Sequence, residues 1–154
     1  MIEIIVPGKP RGKGRPRFGN GHAFTPAGTR RYEREIAVEA QRAVAREADW
    51  DKSAAVRVEI IAAFPVPKSW SKGKRADARD GGICPETKPD IDNVAKAVLD
   101  ALNGIAFEDD KQVVEIVARK LYVPAECASH PLLREGYIRA TVEPWKPQKG
   151  DFDD

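Results

Sequence analysis

The sequence predicts a single α/β (α+β) domain, a mixed β-sheet packed with two main helices in the order β-α-β-loop-α-β-β. Three observations predict it. Residues 55–64 and 137–143 place apolar side chains at alternate positions, the period of a strand. Residues 93–103 carry an apolar stripe at helical spacing. A chain of 154 residues, 42% of them hydrophobic, can bury one core without a disulfide or metal staple. Residues 1–144 are expected to form the domain, with 145–154 a flexible tail.

Residues 2–6 (Ile-Glu-Ile-Ile-Val) read as a short strand, stopped by Pro7-Gly8. Residues 7–24 are rich in Gly, Pro, Lys and Arg without periodicity, so they read as a basic loop. Thr25-Pro26 signals a helix start, with Thr29 as a second possible cap. Tyr32, Ile36, Ala40, Ala43 and Val44 then recur at helical spacing, and the helix fades near Ala48. In the strand at 55–64, Val56, Val58, Ile60, Ala62 and Phe64 share one face, and Pro65 and Pro67 end it. Residues 68–88 form a long polar segment whose middle, Lys72 to Arg79, has room for a turn or two of helix. In the helix at 93–103, Val94, Ala97, Val98, Ala101 and Leu102 make the apolar stripe. Asp92, Lys96, Asp100 and Asn103 fall opposite, with Asp92 as N-cap and Gly104 as the stop. Residues 112–123 and 137–143 supply the last two strands.

Several function classes are excluded. No apolar run approaches the roughly 20 residues of a membrane span. The opening residues are too short and too acidic for a signal peptide. Cys84 and Cys127 do not make a secreted disulfide framework, so a cytoplasmic, reducing location is expected. His22, Cys84, Cys127 and His130 lack the paired spacing of a zinc site. The glycines at 8, 12 and 14 are not closed by the Gly-Lys-Ser/Thr of a phosphate loop.

The net charge is only +2, but it is unevenly spread. Lys9 to Arg34 holds eight bases against one acid, and Lys68 to Lys88 six against three. Asp90 to Asp110 holds six acids against one base, Lys96. An acidic island between basic stretches suits a polyanion with a cation at its reaction centre.

Pro89-Asp90-Ile91-Asp92-Asn93 is the focus of that island. If Asp90 to Asp92 is extended, both carboxylates face one side and Ile91 faces the core. Lys96 rises on the same face one turn later, and Glu108-Asp109-Asp110 brings further acids to the start of a strand. Carboxylates this close repel one another unless protonated or bridged by a cation. All-oxygen ligands are what Mg²⁺ prefers, and a bound Mg²⁺ activates water and stabilises the leaving oxygen of a phosphodiester. Lys96 can add positive charge at the phosphate. Each feature alone has a plainer reading: Asp92 as a cap, Asp109-Asp110 as a turn, Lys96 and Asp100 as an i,i+4 pair on a wet face. Their combination suits a metal-dependent nuclease. Trp50, Trp70 and Trp145 read first as core or lid residues, and Trp70, inside the second basic stretch, is the one to test for stacking on a base.

The run from Lys88-Pro-Asp-Ile-Asp-Asn-Val-Ala-Lys through Asn103-Gly-Ile-Ala-Phe-Glu-Asp-Asp-Lys-Gln-Val-Val resembles the signature of the RusA-like Holliday-junction resolvases. Pro7-Gly-Lys-Pro-Arg-Gly-Lys-Gly-Arg-Pro-Arg-Phe and Tyr32-Glu33 resemble the form found in phage and prophage members. The resemblance runs from about residue 3 to residue 143. It implies a homodimeric bacterial or phage endonuclease that nicks four-way DNA junctions symmetrically in recombination and repair, using Mg²⁺ or Mn²⁺. It implies Asp90, Asp92 and Asp110 as metal ligands and Lys96 as the catalytic lysine, with no role carried to Asp100 or Asp109. Where the best-known members have Arg before the first Asp, this chain has Pro89, with Lys88 one step earlier. Lys13, Arg15, Arg17, Lys72, Lys74, Arg75 and Lys88 are the expected DNA contacts. Two rivals remain open: a branched-DNA-binding protein without catalysis, and a nuclease that prefers flaps or forks.

Overall fold

A computed structural model describes residues 1–147. A mixed four-stranded sheet is built from β1 (Ile2–Pro7), β4 (Val56–Phe64), β5 (Val113–Tyr122) and β6 (Tyr137–Pro144), in the order β1-β6-β4-β5. β6 pairs antiparallel with both β1 and β4, while β4 and β5 are parallel. Parallel neighbours cannot be joined by a tight turn, so the chain between them must cross over the sheet. That crossover carries α2 (Lys72–Arg79) and α3 (Ile91–Leu102). α1 (Ala27–Ala45) lies against β1 and α3.

Period-2 alternation places Ile2, Ile4 and Val6, then Val56, Val58, Ile60, Ala62 and Phe64, then Ile138, Ala140 and Val142 in one core. The helices cover this face with Tyr32, Ile36 and Ala40 from α1 and Val94, Ala97, Val98, Ala101 and Leu102 from α3. The far face is charged. Arg57 lies there among Glu59, Glu115 and Glu143, at 3.2–3.4 Å, and Arg139 meets Glu3 at 2.8 Å. Sequence alternation thus sorts the sheet into one buried and one mostly wet side, where Ala63 and Tyr137 bury locally with Val123.

Three expectations need correction. First, the basic loop is interrupted by a hairpin, β2 (Arg17–Gly19) and β3 (His22–Phe24). Its turn has Asn20 and Gly21 both left-handed, at φ 52° and 78°. Asn-Gly is the pair that such a turn favours, so the signal was in the sequence. Second, α3 starts at Ile91, with Asp90 rather than Asp92 at the N-cap position. Only Asp90 keeps extended backbone (φ −66°, ψ 147°), so the extended pairing of Asp90 with Asp92 does not form. Ile91 lies in the first turn, 37% exposed, and does not enter the core. Third, α1 has Pro26 at its N-cap without a side-chain cap. Thr29 is buried instead, and its Oγ1 accepts from the Gly14 N–H at 3.2 Å. At the start of the expected tail, the Trp145 N–H donates to the Ala55 carbonyl at 2.8 Å. The rest of that tail, 148–154, lies outside the described residues.

The segment from α3 to β5 is held by named bonds. Gly104 takes the left-handed φ of 80° that stops a helix. Ala106 and Phe107 bury fully behind it. Trp50 Nε1 donates to the Ala106 carbonyl at 2.8 Å. The Gln112 amide donates to the carbonyls of Lys52 and Ala54, at 2.7 and 2.9 Å. The same side chain accepts from the Asp109 N–H at 2.9 Å, while Asp109 accepts from the Lys111 N–H at 3.0 Å. This capping box fixes the short 3-10 turn Asp110–Gln112.

Leu102→Ala opens a cavity under α3 at a fully buried position. It is expected to cost about 2–5 kcal/mol. Urea unfolding should show a lowered midpoint with the slope unchanged.

Candidate active site

α3 buries one face, and the opposite face presents Asp92, Lys96 and Asp100 at i, i+4 and i+8. Asp92 lies in the first turn, where the N-terminal end of the helix dipole favours a carboxylate. Across from them runs β5. Between the two elements lies an open cleft of about 440 Å³. Ile91, Ala95 and Leu99 of α3 and Ile116 and Ala118 of β5 form its apolar part. Asp92, Lys96, Asp100 and Asp110 supply its charge. Asp110 enters from the 3-10 turn, so Asp109 and Gln112, which cap that turn, set its position. The Lys111 N–H, and then the Asp110 side chain, hold the Asp109 carboxyl below the usual carboxylate range.

A second depression adjoins the first at the start of α3. It measures about 700 Å³ and is lined by Lys9, Arg11, Lys13, Arg15 and Lys88, with Asp90 and Asn93. Thus Asp92, Lys96 and Asp110 share one cleft, while Asp90 lines the basic groove next to it. Among the described residues, no group of three His, Cys, Asp or Glu side chains is gathered closely enough to hold an ion. The donor set still suits Mg²⁺, which needs only one or two protein carboxylates and takes its other ligands from water and phosphate. Of the acids that the resemblance implies as ligands, Asp92 and Asp110 share the cleft, and Asp100, the third carboxylate there, is paired with Lys13.

The basic loop is laid tightly on the helices. The Lys13 N–H donates to the Asn93 carbonyl at 3.0 Å. A Cβ at Gly12 would meet the Cβ atoms of Asn93 and Pro89 at 3.0 Å, and one at Gly14 would overlap Thr29 Oγ1. Glycine is what allows this approach. Lys13 Nζ pairs with Glu33 of α1 and with Asp100 of α3, the latter at 2.9 Å. Burial opposes the charge, but Glu33 and Asp100 outweigh it and hold the Lys13 ammonium above the ordinary lysine range.

The expected DNA contacts therefore divide. Lys13 is engaged within the protein, whereas Arg15, Arg17 and Lys88 are exposed. On α2, Lys72 is exposed, Lys74 lies over the Trp70 ring at 4.0 Å, and Arg75 is half-buried. Trp70 itself meets Tyr122 edge-on, with centroids 5.4 Å apart. Sequence reasoning did not single out Lys9 and Arg11 as groove residues or Glu33 as the tether's partner. The run of alternate bases from Lys9 to Arg17 was the available signal for the first two. Glu33 stood out only as the one acid among the bases from Lys9 to Arg34 and in the Tyr32-Glu33 resemblance; nothing local marked its pairing with Lys13, 20 residues away.

Comparison with known proteins identifies the family. Residues 7–125 match the family Endodeoxyribonuclease RusA. A Bacillus subtilis (strain 168) protein described as "Uncharacterized protein YqaN" is 35% identical over 127 residues, covering 79% of this chain and 87% of the relative. The chain belongs to the RusA endodeoxyribonuclease family. Membership carries endodeoxyribonuclease activity, a general dependence on divalent metal, and branched DNA as the kind of partner.

Lys13→Met removes the cation between Glu33 and Asp100 while keeping much of the stem's volume. It is expected to cost about 1 kcal/mol, the low end for charged hydrogen bonds, because solvent screens part of the pair. The raised pKa sets the pH sign. The tether's contribution is complete below the ordinary lysine pKa and lost as pH rises through the raised one. Chemical unfolding from neutral to alkaline pH should show the wild type approaching the variant's stability. A constant gap across that range would remove the tether from the account.

Proposed function

We propose that this protein is a Mg²⁺-dependent endonuclease that resolves four-way DNA junctions by paired, symmetric nicks, acting as a homodimer in recombination and repair. The observation that carries the reading is the shared cleft of Asp92, Lys96 and Asp110 beside a groove lined with five bases. That neighbourhood supports polyanion binding beside carboxylate chemistry.

Asp92 and Asp110 would hold the ion, with Asp90 at the edge of the neighbouring groove. When bound, Mg²⁺ supplies charge for the phosphate oxygens and acidifies a water for attack, and Mn²⁺ is a chemically similar substitute. The Lys96 ammonium lies one helical turn from Asp92 and offsets charge that builds at the scissile phosphate. The exposed Arg15, Arg17 and Lys88 contact backbone phosphates, and Lys72, Lys74 and Arg75 extend the basic surface. Such contacts position DNA without reading its sequence. Lys13 holds the loop that presents Arg15. Two copies facing a two-fold substrate would cut matched strands. The proposed setting is the cytoplasm of a bacterial host, with a phage or prophage origin.

The test is cleavage of a mobile synthetic four-way junction beside its matched linear duplex, in Mg²⁺ and in EDTA. Paired nicks in the junction alone, abolished by EDTA, are expected. Binding without nicks in either Mg²⁺ or Mn²⁺ would leave a branch-binding protein, and equal cutting of flaps would shift the preferred substrate. Asp92→Asn should abolish cutting with binding retained. Lys96→Ala should slow single-turnover cleavage by about 10²–10³, the order for losing one electrostatic stabiliser. An unchanged rate would return Lys96 to an ordinary solvated helix face. Arg15→Ala should lower the salt slope of junction binding by about one unit.

A further inference from the structure

Phe18 is 84% exposed, the most exposed of the large hydrophobic side chains among the described residues. It stands on the β2–β3 hairpin, whose six strand residues are all exposed. The hairpin's other aromatic has a local partner. Phe24 is 47% exposed, and its ring lies over Gly19, where a Cβ would meet Phe24 Cε1 at 3.1 Å. In the antiparallel register Phe18 stands opposite Ala23, and Arg17 opposite Phe24. Adjacent residues of a strand point to opposite faces, so Phe18 leaves the hairpin on the face away from the Arg17–Phe24 pair. Its cross-strand neighbour there is only a methyl group. A bare phenyl ring on a projecting two-stranded ribbon contributes nothing to this core.

We propose that Phe18 is a wedge that enters the base stack at the branch point of bound DNA. The inference rests on the branched-DNA reading above and adds a residue to it. Charge complementarity selects the occupant. From Pro7 to Phe24 the chain carries Lys9, Arg11, Lys13, Arg15 and Arg17 and no acid, so the hairpin is approached along a cationic path. That path begins in the groove beside Asp90. Reach fits as well. The backbone is anchored at Lys13 on Asn93, five residues before Phe18. Five residues span at most about 18 Å. At 3.4 Å per base step, that places the ring within about five steps of a phosphate held at the start of α3. Proteins commonly kink DNA by inserting an apolar side chain between base steps, at the expense of some unstacking. At a branch the bases are already partly unstacked, so the same insertion costs less there than in continuous duplex.

The experiment uses the full chain and a fixed four-way junction with 2-aminopurine beside the branch point, in EDTA so that nothing is cut. Wild type is expected to raise the fluorescence several-fold at saturation, as the reporter base unstacks. Phe18→Ala should lose most of that rise and bind the junction about tenfold more weakly, the order of one lost base–aromatic contact. Its affinity for linear duplex should change less than twofold. Phe18→Trp should restore the signal, and thermal unfolding should be the same for all three proteins. Equal fluorescence in wild type and Phe18→Ala, with wild-type junction nicking intact, would overturn the wedge and leave the nuclease reading standing. A shift of Phe18→Ala from dimer to monomer in sedimentation would also overturn it, by assigning the ring to a second copy of the chain. Absence of both junction binding and nicking in wild type would remove the branched-DNA reading itself.

Discussion

The burial of α3 is the constraint on which the site depends. Val94, Ala97, Val98, Ala101 and Leu102 can leave water only by turning one face of the helix onto the sheet and α1. Once that face is fixed, Asp92, Lys96 and Asp100 have no freedom in direction, because helical periodicity assigns them to the other side. The apolar residues thus aim the charged ones. Parallel pairing of β4 with β5 adds the second half of the cleft. It sends the chain across the sheet between those strands and returns it through the turn bearing Asp110. A helix face and a strand approach each other without any direct attraction between the acids they carry.

The loop bearing the cations needs its own anchor, because it has no apolar face to bury. Lys13 provides it by joining α1 and α3 through Glu33 and Asp100. The glycines at 12 and 14 let the backbone settle onto Asn93 and Thr29. A charge that looks suited to a nucleic-acid ligand when read along the chain is here an internal brace. The exposed Arg15 and Arg17 follow directly after it, so the brace sets where those two arginines begin.

Much of this was legible in the sequence. Alternation gave β4 and β6, residues 2–6 read as the strand β1, the apolar stripe gave the packed face of α3, and the acids from Asp90 to Asp110 drew attention to the cleft that Asp92 and Asp110 line. What was missed has physical reasons. The hairpin at Arg17–Phe24 is too short for periodicity to register, although Asn20-Gly21 signalled its turn. The start of α3 was misplaced because an acidic residue fits equally well at an N-cap or in the first turn, and Asp90 and Asp92 compete for both roles. That error changed the geometry of the acids: a helical Ile91 parts Asp92 from Asp90, which an extended chain would have set side by side. The Lys13 tether was invisible because its partners, Glu33 and Asp100, are brought together only by the packing of α1 on α3.

The grip of Gln112 on residues 52 and 54 has an evolutionary consequence. Its amide reaches main-chain carbonyls, and every amino acid offers the same oxygen. The side chains at those two positions are therefore open to drift. The number of residues in the loop is not, because one inserted residue would move an acceptor off the amide and release the turn that presents Asp110. This stretch should diverge by substitution and hardly ever by changes in length.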